Sequence, residues 1–142
     1  MLNKIAVLLA VLFLPVLAWA DSAPELIKKQ SAHDVKTSLD RLEEVLKMKD
    51  IIVISRIDHA ANAEKVGMEL RPTALLIFGN PKAGTVLQMN PAIGVDLPMK
   101  ALAWEDENGQ TWLVYTSMEA LANRHGIDPN AENRPEDGRR LG

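Results

Sequence analysis

Val35, Leu39, Leu42 and Leu46 recur at helical spacing, while Lys36, Asp40, Arg41, Glu43, Glu44 and Lys47 fill the positions between them. Apolar residues three and four apart share one helix face, so the pattern predicts an amphipathic helix of about four turns, ending near Lys49-Asp50. Ser31 to Asp34 supplies the start signal: the Ser31 hydroxyl can accept from an amide near Asp34, and Asp34 sits at the positive end of the helix dipole. Ile51 to Ile54 is β-branched without a break and reads as a strand continuing to Ile57. Asp58 can cap a short helix over Ala60, Ala61, Ala63 and Val66, closed by Gly67.

Arg71-Pro72 blocks further helix. Thr73 to Phe78 is then a second strand, apolar on both faces and therefore expected in the interior of its sheet. Gly79-Asn80-Pro81 turns the chain, and Asn80 as cap with Pro81 at the first position predicts a helix from Lys82 to about Met89. Asn90-Pro91 stops it. Met99 to Glu105 and Thr111 to Tyr115 are strands joined by Asp106-Glu107-Asn108-Gly109, a hairpin turn carrying the favoured Asn-Gly pair. That register sets Trp104 opposite Trp112. Thr116 to Glu119 reads as a capping box that opens a last helix, ended at His125-Gly126. Pro24 to Gln30 reads as a weak edge strand. The order (β)αβαβαββα predicts a single small α+β domain over 21–127, with a four- to five-stranded, mostly antiparallel sheet and helices packed on one face.

The two ends read differently. Lys4, the apolar run Ile5 to Leu17 and the small-x-small sequence Ala18-Trp19-Ala20 have the form of a signal peptide cleaved after Ala20. Export to the periplasm follows, with no membrane association after cleavage. Residues 128–142, rich in charge, Asn and Gly, read as a disordered polar tail. The chain of 142 residues has no cysteine, which excludes disulfides, thiolate catalysis and lipid attachment through cysteine. Net charge is −3 with acids and bases interspersed, so no basic stripe is present to follow nucleic acid.

The segments Ile57 to Thr85 and Asp96 to Ile127 resemble the family called domain of unknown function 302. The motifs are His59-Ala60-Ala61, Leu70-Arg71-Pro72-Thr73, Ile77-Phe78-Gly79-Asn80-Pro81-Lys82-Ala83-Gly84-Thr85 and Asp96-Leu97-Pro98. The resemblance runs from about Ile27 to Ile127. It implies a small α+β fold related to TATA-box-protein-like or helix-grip arrangements, often as a homodimer, and it implies no activity. One departure is Val86-Leu87-Gln88-Met89, where relatives more often read Pro-Leu-Met-Gln.

Candidate chemistry is sparse. A helix opening at Pro81 would leave the amides of Lys82, Ala83 and Gly84 without intrahelical partners, a receptor for a small anionic ligand strengthened by the Lys82 ammonium. Asn80, Lys82, Gly84 and Thr85 are therefore candidate ligand-binding residues. His59, oriented by Asp58, is a further candidate and shares the site if the strands ending at Ile57 and Phe78 run parallel. Arg71 can reach such a ligand, or pair with Glu69 or Asp96. The alternatives are an enzyme with His59 as general acid or base and Lys82 as oxyanion stabiliser, or a purely structural, oligomerising module. No nucleophile with a matched base is visible, so an enzyme is the weaker reading. His33 and His125 are expected in solvent. Three isolated histidines lack ligand spacing, and Met68, Met89, Met99 and Met118 lack a Met-x-x-Met cluster, so no metal or cofactor is expected; the methionines read as core filler.

Overall fold

The computed structural model describes residues 25–128; the signal-peptide reading of residues 1–20 and nearly all of the tail lie outside them. Strands β1 (Leu26–Ser31), β2 (Ile52–Asp58), β3 (Thr73–Gly79), β4 (Met99–Glu105) and β5 (Thr111–Thr116) form one sheet in the order β1-β5-β4-β3-β2. Every neighbouring pair is antiparallel. Helices α1 (Val35–Met48), α2 (His59–Glu64), α3 (Gly84–Met89) and α4 (Met118–Arg124) complete an α+β domain, with short 3-10 turns at Pro81–Ala83 and Pro91–Val95. The predicted order of elements is the observed one.

Helix α1 lies across the sheet because its stripe is apolar and the facing strand positions are small or aliphatic. Val35, Leu39 and Leu46 are buried with Ala74, Leu76 and Ala103, and Leu42, Val53, Phe78 and Leu113 pack around them. Alanines on the central strands let the helix approach closely. Arg56 of the edge strand β2 fixes the helix from beneath: Nη1 donates to Asp40 Oδ1 at 2.7 Å, and Nε stands 3.4 Å from Glu43 Oε1. Helix α1 packs on this one face. The buried strand residues Ala74, Leu76, Ala101, Ala103 and Thr111 all point toward it in the observed register.

Capping differs from the sequence expectation at two helices. The α1 cap is Asp34, whose carboxylate accepts from Thr37 N at 2.6 Å, while Ser31 Oγ pairs with Ser38 Oγ. The α4 cap is Ser117, accepting from Ala120 N at 3.0 Å, because Thr116 is drawn into β5. The hairpin turn is as expected. Gly109 takes φ +74, a left-handed conformation that side-chain-bearing residues adopt only with strain.

Among the described residues no helix is long and apolar enough to cross a membrane.

Candidate functional site

The antiparallel pairing of β2 with β3 decides where the sequence candidates fall. Asp58 lies opposite Ala74, and Ile52 lies opposite Gly79. His59 therefore follows the end of β2 at one end of the sheet, and Asn80 follows the end of β3 at the other. A strand of this length separates them by about 20 Å, at roughly 3.3 Å per residue. The shared pocket expected from parallel strands does not form, and His59 and Lys82 do not meet on one substrate atom.

The amides expected to receive an anion after Asn80 have partners within the chain. Lys82 N donates to Asn80 Oδ1 at 2.9 Å and Ala83 N to Asn80 O at 2.9 Å, while the Gly84 amide donates to Lys82 O. Thr85 Oγ1 donates to the same Lys82 carbonyl at 2.9 Å. The predicted continuous helix is broken into a 3-10 turn and the short α3, so little dipole gathers at its start. Proline and asparagine here build a closed local turn.

At the other end, Asp58 caps α2 by accepting from Ala61 N at 2.9 Å, which leaves His59 exposed on the first turn and not oriented by that carboxylate. Arg71 is exposed and pairs with neither Glu69 nor Asp96. Asp96 is taken elsewhere. Its Oδ1 accepts from Arg124 Nη1 at 2.9 Å and its Oδ2 lies 2.6 Å from His125 Nε2, while Arg124 Nη2 also pairs with Glu25. His125, expected in solvent, has a side chain only 10% exposed, and Asn90 Nδ2 donates to its carbonyl at 2.7 Å. This cluster ties α4 to the turn before β4 and to the start of β1. The methionine reading fails in the opposite direction: Met68, Met89 and Met118 are exposed rather than filling the core.

A concavity lies where α1 begins, β2 ends and β3 begins. It is a cleft of about 1170 Å³ between α1, α2 and the segment 68–73. Its apolar floor is Val35, Leu39 and Ala74, and Ala60 and Ala61 of α2 keep one wall low. Glu64, Glu69, Glu105 and Glu107 stand on the rim with Arg71, and none of these five side chains makes a hydrogen bond or ion pair within the described residues. The other charges of the cleft are engaged: Lys36 and Arg56 with Asp40, Asp58 with the α2 amide, and Asp106 with Trp112 Nε1 at 2.8 Å and the Gln110 and Asn108 amides. Two carboxyls gain acidity from these contacts. Asp40 is lowered by hydrogen bonds from Lys36 and then Arg56, and Asp106 by Trp112 and then Gln110. Of the sequence candidates only Arg71 lines this cleft. The run Ala60-Ala61-Asn62-Ala63 was the available signal: small residues on a helix packed beside a sheet leave room.

Among the described residues no cluster of three or more histidine, aspartate or glutamate side chains has the arrangement of a metal site.

Comparison with known proteins places this geometry in a lineage. Two curated relatives, "Fluoride-specific ion channel FluC 1" of Brucella suis biovar 1 and the protein of the same name of Brucella abortus biovar 1, are each 43% identical over 103 residues. The match covers 72% of this chain but only 41% and 38% of theirs, so the chain spans about two fifths of those relatives. A solved structure described as an uncharacterized conserved protein DUF302 from Bacillus stearothermophilus superposes with a TM-score of 0.67 at 25% identity, over 75% of this chain and 84% of that one. The family described as Domain of unknown function DUF302 matches residues 27–137, and the chain belongs to that family.

Proposed function

We propose that this chain is an exported binding domain that holds a small organic cation with a hydrocarbon body in the cleft between α1, α2 and the segment 68–73. The observation that carries the reading is an apolar floor ringed by carboxylates with no partner among the described residues: Val35, Leu39 and Ala74 below, Glu64, Glu69, Glu105 and Glu107 around. A hydrocarbon body gains by leaving water for that floor, at roughly 25 cal/mol per Å² buried. An ammonium group gains from carboxylates close enough to escape screening, within about 8 Å at physiological ionic strength. Among the described residues Arg71 is the one unpaired cation on the rim, so the unpaired charge there is negative and disfavours the small anion expected from the sequence. The amino-terminal signal pattern supports export. The likeness to about two fifths of the Brucella channels fits a module that can be joined to other polypeptides.

Thermal-shift titration with diaminoalkanes of increasing chain length, matched dicarboxylates and simple amino acids tests the reading. Amines stabilise the protein as ligand occupancy rises, by RT ln(1 + [L]/Kd), and the longer chains do so at lower concentration. Glu69→Gln and Glu105→Gln weaken the effect, and Ala61→Trp, which fills the cleft, removes it. Equal stabilisation by dicarboxylates, or stabilisation that survives Ala61→Trp, contradicts it.

A further inference from the structure

Trp104 and Trp112 lie directly opposite each other on β4 and β5, on the side of the sheet turned away from α1. Lys28 of the edge strand β1 is diagonal to Trp112 on that same side, since its direct partner is Val114. Its ammonium stands over both rings, with Nζ 4.1 Å from the Trp112 centroid and 5.1 Å from that of Trp104. Both distances are inside the roughly 6 Å at which a ring face attracts a cation. Among the described residues the ammonium makes no hydrogen bond or ion pair, so it is the rings that hold it. Asp106 completes the arrangement. Trp112 Nε1 donates to its Oδ2 at 2.8 Å, and an indole that donates to an anion is polarised toward a more electron-rich face. That bond and the Gln110 amide lower the Asp106 pKa, so the carboxylate stays charged at neutral pH. Val114 and Leu102, paired on the same side and not buried, lay an apolar floor beside the rings.

We infer that the Trp104–Trp112 pair is a binding site for a quaternary ammonium head group, and that Lys28 is the internal cation such a group displaces. The site goes beyond the cleft reading. It lies on the other side of the sheet, although the Trp104 ring also borders the cleft. The two kinds of cation compete there on unequal terms. A primary ammonium is compact and strongly hydrated, and its three donors find no acceptor on a ring face. Lys28 therefore regains water when it leaves, and its exposed side chain is free to swing aside. A quaternary ammonium has no donor to satisfy. Its methyl groups gain from the ring faces and from the aliphatic side chains of Val114 and Leu102. The rings are half-buried rather than covered, so they admit it. Asp106 supplies balancing charge from the edge of Trp112, within the range that salt leaves unscreened. The carboxylates around the cleft suit the opposite class, ammonium groups that donate hydrogen bonds to them.

Choline chloride, titrated into the isotope-labelled protein at constant ionic strength, reads the site through the indole N–H resonances of Trp104 and Trp112. Both move to saturation. The uncharged carbon isostere of choline, with a tert-butyl group in place of trimethylammonium, saturates neither over the same range. Lys28→Ala removes the internal competitor and tightens choline binding about two- to fivefold, the share that an exposed cation–π contact holds. Lys28→Arg keeps a competing cation and binds choline no more tightly than wild type. Trp112→Leu abolishes the response; Lys28→Ala, at an exposed position, keeps the test open if that variant fails to fold. Glu69→Gln, which weakens the cleft ligand, leaves the choline response as in wild type, so the two sites stand or fall separately. No saturable indole shift, an equal response to the neutral isostere, or unchanged choline affinity in Lys28→Ala overturns the inference.

Discussion

His125 Nε2 and Asp96 Oδ2 are 2.6 Å apart, linking the end of α4 to the turn that enters β4. Arg124 grips the other oxygen of the same carboxylate, so one aspartate holds two consecutive residues of the last helix. Together with Asn90 on the His125 carbonyl, this clasp fixes a helix too short to persist alone. Asp96→Ala removes both contacts. A hydrogen bond to a charged group contributes about 1.5–3 kcal/mol, so chemical denaturation should show a loss in that range. Wild-type stability for the variant would mean that α4 is held by apolar packing of Leu121 and Ala122 alone.

Leu39 and Leu76 are fully buried where α1 meets the sheet. Truncating either to alanine leaves a cavity that neighbouring strand alanines cannot fill. Urea denaturation should report a loss of about 2–5 kcal/mol for each. The double variant should lose less than the sum, because the two side chains belong to one cluster.

Asp106 holds the hairpin through Trp112 Nε1 and two turn amides, and these bonds lower its pKa. A carboxyl with a depressed folded-state pKa contributes stability that is full above its unfolded pKa of about 4 and is lost as pH falls through the lower, folded value. Asp34 and Asp40 act in the same sense. Thermal melts between pH 7 and pH 2 should therefore show the midpoint falling below about pH 4. Asp106→Asn should flatten part of that acid limb and lower the midpoint at neutral pH. An unchanged acid limb in the variant would remove Asp106 from the account.

His59→Ala and Lys82→Ala should be nearly silent. Both side chains are exposed, and substitutions at such positions shift stability by about 0.5 kcal/mol or less. Neither lines the cleft, so ligand-induced stabilisation should equal that of wild type. Loss of ligand response in either variant would return the site to the residues that the sequence pointed to first.

The fold was largely legible in the chain. The apolar stripe from Val35 to Leu46, the β-branched run at Ile51 and the Asn108-Gly109 turn each report a local preference that packing reinforces. Trp104 and Trp112 face one another as the turn requires. The relative placement of the candidate residues was not legible, because it depends on strand direction. Nothing local in Asp58 to Pro72 tells whether the chain returns parallel or antiparallel, and that choice alone moves Asn80 from beside His59 to the far end of the sheet. The Asn80 turn departs from the expectation for a second reason. Free amides at a helix start are a valid expectation, but the same asparagine that caps the turn consumes them. His125 was misplaced because its partner, Asp96, is distant in sequence.

The central claim is that ligand chemistry resides in the cleft under α1 and α2. Nuclear magnetic resonance titration of the isotope-labelled protein with a diaminoalkane tests it most directly, since each amide reports its own surroundings. The account predicts saturable shifts at Ala60, Ala61, Glu64, Glu69 to Thr73 and Glu105, with Lys82 to Thr85 unmoved. Shifts centred on Asn80 to Thr85, or no saturable shifts anywhere, would contradict it.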